Sequence, residues 1–220
     1  MEKTSGNSWD TNYMVAKEFF NKNNHLLVPT SYVTDDNIPL GLWIQRQRHR
    51  YQCSNENSLC YEQIKALEDI GMIWDVAAYN WNIRYNFAKE YYKQNKNLLI
   101  PYEYKIQIPN GKPLNLGIWI HTQRKAYKGQ SNCKITYEQI KALEDIGMIW
   151  DVKKHKWNKN FNLLKRYYQK HKNTKLPSEY MIDNEDVGYW LWEQQRLYAR
   201  NSLSEEKIVA LMSIGVELNK

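Results

Sequence analysis

Large aromatic and apolar side chains recur along the chain at intervals of three and four residues, not in alternation. Trp9, Tyr13, Ala16, Phe19 and Phe20 are followed by Trp81, Tyr85, Ala88, Tyr91 and Tyr92, and more loosely by Trp157, Phe161, Leu164, Tyr167 and Tyr168. Spacing of i, i+4, i+7 and i+10 falls on one face of a helix, so each series predicts an amphipathic helix. The same markers return after each series. A proline stands 20 residues beyond the leading Trp, at Pro29, Pro101 and Pro177. A G-x-W pair follows (Gly41 with Trp43, Gly117 with Trp119, Gly188 with Trp190), with Gln four and Tyr eight residues after that Trp. The segment YEQIKALEDIGMIWDV at 61–76 recurs letter for letter at 137–152. The chain therefore reads as three copies of a unit of roughly 72 to 76 residues, with the third the most divergent.

Each copy predicts three helices. The aromatic stripe forms the first, the second starts at the glycine of G-x-W, and the third starts near Thr136 or Ser204, both N-cap residue types. Thr136 and Gln139 have the spacing of a capping box. Gly71, Gly147 and Gly215 suit the left-handed C-cap that ends this helix, and Ile64, Leu67 and Ile70, with Ile140, Leu143 and Ile146, face the core. Prolines 29 and 39, or 101, 109 and 113, make the connection between the first two helices extended. The expectation is an all-α fold with no sheet: a tandem array of three small three-helix bundles with Trp/Tyr-rich cores, spanning 1–76, 77–152 and 153–220. Repeat three ends GVELN where the others read GMIWD, which marks it as a C-terminal cap.

Composition narrows the class. Hydrophobic residues at 42% and charged residues at 25% of 220 residues suit neither a disordered tail nor a membrane protein. The apolar runs are far shorter than the roughly 20 residues a spanning helix needs. The start, MEKTSGNSWD, has no apolar signal region, so a cytoplasmic protein is expected. Cys53, Cys60 and Cys133 form an odd set without a CxxC pair, against both a disulfide framework and a zinc finger.

The motifs W-x-x-x-Y, L-G-x-W-I-x-x-Q-R and L-E-x-I-G-M-x-W-D resemble those of the helicase-associated domain family, from Trp9 to Glu217. The likeness is sharpest in LGLWIQRQR at 40–48, LGIWIHTQR at 116–124 and the two GMIWD segments. Repeat three departs from it at Val187, Gln195 and Leu218. The resemblance implies a bacterial, all-helical array of the kind found behind helicase motors, with a role in binding nucleic acid. The motor itself has no counterpart: the single GK, Gly111 with Lys112, is followed by proline and forms no G-x4-G-K-[ST] loop.

Charge is sorted by helix. The third helices (61–76 and 137–152) each carry one Lys against four acids, whereas the second helices are basic. Repeat one contributes Arg46, Arg48, His49 and Arg50, repeat two Arg124, Lys125 and Lys128, and repeat three Arg196 and Arg200. At about 100° per residue Trp43, Ile44, Gln47 and Tyr51 share the inner face, so His49, Lys125 and Arg196 face solvent, while Arg48 and Arg124 flank the apolar stripe. A second cluster, Lys153, Lys154, Lys156 and Lys159, opens a run of nine Lys or Arg without an acid over 153–175. Both arrangements suit phosphate contacts; both also suit a solvated basic face. Gln47, Gln123 and Gln194 could read adenine, but their place in the aromatic stripe gives them a structural, hydrogen-bonded role. Trp192 falls on an outer face, free to cover a neighbouring repeat, mediate self-association or stack on a base. The five histidines are scattered, and no catalytic or metal-ligand motif occurs. The expected function is thus non-catalytic and cofactor-free: a monomeric nucleic-acid-binding module, for DNA and mainly through phosphates, attached to or serving a helicase or other parent protein. The alternative is a protein-interaction module whose basic faces dock an acidic partner.

Overall fold

The computed structural model describes residues 8–108 and 112–219. Pro109, Gly111 and the first seven residues, read above, lie outside the described residues. The chain divides into two compact units, Met1–Phe87 and Ala88–Lys220. Helices dominate both, and among the described residues no helix is long and apolar enough to cross a membrane.

The first unit contains α1 (Ser8–Asn23), α2 (Leu40–Gln52) and α3 (Tyr61–Asp69). Its centre is aliphatic: Leu26, Leu40, Ile44 and Leu67 are fully buried. Trp9, Tyr13, Phe19, Phe20 and Trp74 pack around that centre and are only partly buried, so the aromatic stripe is the wall of the core and not its middle. The rings order themselves against one another. Trp9 stacks on Tyr13 at 5.2 Å and tilts against Trp43 at 6.0 Å. Its indole Nε1–H donates to Gln47 Oε1 at 3.1 Å, and Gln47 Nε2 donates to the Trp43 carbonyl. A buried amide is costly unless its hydrogen bonds are made, and here both ends are satisfied. The same pairing recurs between Trp157 and Gln194 at 2.9 Å. Gln47 and Gln194 are thus structural, as their position in the stripe predicts.

The helix α4 (Val76–Asn95) leads on to the second unit, which holds α5 (Leu116–Tyr127), α6 (Tyr137–Asp145), α7 (Val152–His171), α8 (Val187–Ala199) and α9 (Glu205–Met212). Thr136 caps α6 as expected: Gln139 N–H donates to its hydroxyl oxygen, and its own N–H donates to Gln139 Oε1. The glycines after α3, α6 and α9 are left-handed, with φ of 73°, 75° and 77°. Met72 N–H reaches back to Leu67 O and Gly71 N–H to Glu68 O, with the same pair of bonds at Gly147 and Gly215. This Schellman closure satisfies the last carbonyls and buries Met72, Met148 and Val216 against the helix they follow.

The expectation of no sheet is corrected. Among the described residues two small antiparallel pairs form, β1 (Lys105–Ile106) with β2 (Leu114–Asn115) and β3 (Met181–Ile182) with β4 (Glu185–Asp186). The proline-bearing connection must double back to deliver the chain into the second helix, and its backbone groups pair across the reversal. Asp183 and Asn184 both have positive φ, as a two-residue type I′ hairpin requires. In repeat one the same reversal is closed by Thr34 N–H to Ile38 O, Asn37 N–H to Thr34 O and Ile38 N–H to Thr34 Oγ1.

These connections explain the paired proline and glycine markers. The chain after Pro29 crosses the first turn of α2 so closely that a Cβ on Gly41 would lie 2.0 Å from Pro29 O. The values at Gly117 against Pro101 O and Gly188 against Pro177 O are 2.0 and 2.1 Å. Only a residue without a Cβ fits.

Candidate nucleic-acid interface

The second helix of each repeat carries its cations on two different faces, and the structure separates them. Arg48 does not reach outward. Its Nε–H donates to Ile73 O and its Nη2–H to Leu26 O, both at 2.9 Å. Arg124 repeats this with Ile149 O and Leu98 O, both at 2.8 Å. Burial pulls both guanidinium groups below their ordinary pKa, yet arginine keeps its charge at any ordinary pH. Each bridges the loop after the first helix to the loop after the third. Beside it Tyr51 stacks on Trp74 at 4.1 Å and Tyr127 on Trp150 at 4.2 Å, with each indole donating to Glu68 or Glu144 at 3.0 Å. Five planar donors in a fixed fork suit this clamp better than a flexible lysine would. The two arginines proposed from sequence as phosphate contacts are thus committed to the fold. Arg124→Ala should lower stability by about 2 kcal/mol, since two charge-assisted bonds to carbonyls are lost, while Lys125→Ala changes it by less than about 0.5 kcal/mol. Urea denaturation of the two variants checks this.

Other predicted cations are also engaged. Arg50 donates to the carbonyls of Asn57 and Ser58, closing the turn before α3. Arg196 pairs with Glu193 at 2.9 Å and lies over the Trp192 ring at 5.2 Å. Lys159 pairs with Glu185 at 2.7 Å, and nearby Arg166 with Asp183 at 2.7 Å. The acids of the β3–β4 hairpin therefore neutralise the middle of α7, which a run without acids in its own segment does not disclose.

The remaining cations are exposed and, among the described residues, make no ion pair: Arg46 in the first unit, and Lys125, Lys128, Lys153, Lys154, Lys156 and Arg200 in the second. His49 is also exposed, with Nε2 4.0 Å from Cys53 Sγ. Within the second unit, Asp151 draws two groups of these together. It caps α7 by accepting Lys154 N–H at 2.9 Å. That bond holds its carboxyl below the usual range, helped by the charges of Lys128 and Lys154. The end of α5 and the first turn of α7 thus form one basic patch of Lys128, Lys153 and Lys154, which the sequence shows only as two separate clusters.

The sequence matches the family described as Helicase associated domain three times in tandem, over residues 6–75, 78–151 and 154–219. The chain belongs to the helicase-associated domain family. Membership supports reading it as an accessory region of helicase-type proteins. No curated protein and no solved structure is matched by the chain.

Proposed function

We propose that the chain is a non-catalytic nucleic-acid-binding module, cytoplasmic and built of three helical repeats, that holds DNA mainly through its phosphates. The observation that carries this reading is the separation of charge. Lysines and arginines without an ion pair among the described residues lie on the outer face of the second helices and at the α5–α7 patch, where Asp151 is the one acid that interacts with them, whereas α2 and α5 carry no acid and α3 and α6 are acidic. Cations that neutralise phosphates release condensed counterions, so binding should fall steeply with salt and depend little on sequence. Fluorescence anisotropy with generic duplex and single-stranded DNA, across a salt series, tests this. Lys125→Ala, Lys128→Ala and Lys154→Ala should each weaken binding and each reduce the salt slope by about one unit. No binding at low salt with micromolar protein would defeat the reading and favour the docking of an acidic protein partner on the same cations.

A further inference from the structure

Five positions at which the third repeat departs from the other two surround a single cleft. Thr174 stands where the sister repeats have Leu26 and Leu98, and Lys175 where they have Leu27 and Leu99. Trp192 replaces Gln45 and His121, Gln195 replaces Arg48 and Arg124, and Glu217 replaces Ile73 and Ile149. All five line an open-sided cleft of about 530 Å³ within the second unit, together with Lys172. That volume lies within the range of small-molecule sites.

The cleft opens because the arginine clamp is missing. In the first two repeats a guanidinium bridges two carbonyls, one on either side of this space. Gln195 is shorter and donates to one wall, Glu217 O at 3.1 Å. The other wall is tied differently, through Thr174 Oγ1–H to Gly215 O at 3.0 Å. Three of the replacements exchange an aliphatic residue for a polar one, so the cleft does not suit an apolar segment. Beside Leu176 and Leu191, its lining offers an aromatic plate and cations. Trp192 is 46% exposed, and Lys172 and Lys175 are exposed without an ion pair among the described residues, against the single carboxylate of Glu217.

A planar ring beside two lysines is the arrangement that receives an unpaired base and its phosphate, since every base offers a π-face and every nucleotide a negative charge. A duplex hides its base faces in the stack. We infer that this cleft holds one unpaired nucleotide of a single strand, with the base against Trp192 and the phosphate on Lys172 and Lys175. The inference rests on the nucleic-acid reading above and adds a single-strand site to it.

The full chain is titrated against a labelled thymidine oligonucleotide and against a labelled hairpin duplex. Trp192→Ala should weaken single-strand binding about tenfold and leave duplex binding within about twofold. Lys175→Leu, the residue type of the sister repeats, should weaken single-strand binding with the tryptophan still in place. Gln195→Arg restores the sister clamp and fills the cleft. It should also weaken single-strand binding, even though it adds a positive charge; a purely electrostatic surface would bind more tightly. Tighter binding by Gln195→Arg, or unchanged single-strand affinity in all three variants, overturns the inference. So does a wild-type chain that binds duplex and not the single strand, and in these cases the phosphate-binding module survives. A chain that binds neither probe removes both readings together.

Discussion

Gly117→Ala is expected to destabilise the protein by about 3 kcal/mol or more, a large effect for one methyl group. The added carbon would sit 2.0 Å from Pro101 O and 2.4 Å from Tyr102 O, and both atoms are backbone, so no rotamer change relieves the clash. Moving the connection away from α5 would also stretch the bond from Gly117 N–H to Tyr104 O at 3.1 Å. Gly129→Ala supplies the contrast. Nothing lies within 4 Å of a Cβ there, and only its φ of 66° opposes substitution, a strain of about 1 to 2 kcal/mol. Chemical denaturation of the two variants separates a steric lock from ordinary left-handed strain. Equal losses would mean that the connection does not press on α5 as described.

The markers that locate this lock are plain in the sequence, but their reason is not. Pro101 and Gly117 read separately as a helix breaker and a helix start; that the two must touch follows from the path of the chain between them. The helices themselves were legible, because the i, i+4, i+7 stripe, the Thr136–Gln139 capping box and the glycines at 71, 147 and 215 are local signals. The hairpins were missed for a related reason. Asp183 and Asn184 are turn residues of the right type, yet a proline-bearing connection masks a reversal only four residues long. At the candidate site, helical phase placed Arg48 and Arg124 correctly beside the apolar stripe. It could not show that the guanidinium turns inward to carbonyls 22 to 26 residues away in sequence. The pairing of Lys159 with Glu185 across 26 residues is equally invisible to charge counting within one segment. Local signals fix elements, whereas the free charge of a surface depends on partners that the tertiary fold brings in.

Trp119→Ala should cost about 3 to 5 kcal/mol, the range for removing a buried aromatic side chain. Trp119 is 9% exposed, and its neighbours Leu116 and Ile120 on α5 are fully buried. Its sister Trp43 shows what such a residue touches, with the Trp9 ring at 6.0 Å and the Gln47 amide bonded to its own carbonyl. Losing the indole therefore removes transfer energy and leaves a void against side chains already fixed by one another, which cannot collapse freely to fill it. Trp192→Ala is the matched comparison on the corresponding helix of repeat three. That ring is 46% exposed and its cation contact with Arg196 lies at the surface, so its removal should cost at most about 1 kcal/mol. Urea midpoints at unchanged slope measure both. Comparable costs would mean that the inner and outer faces of the second helix have been exchanged. The outward-facing Lys125 and the cleft beside Trp192 would then lose their structural basis together.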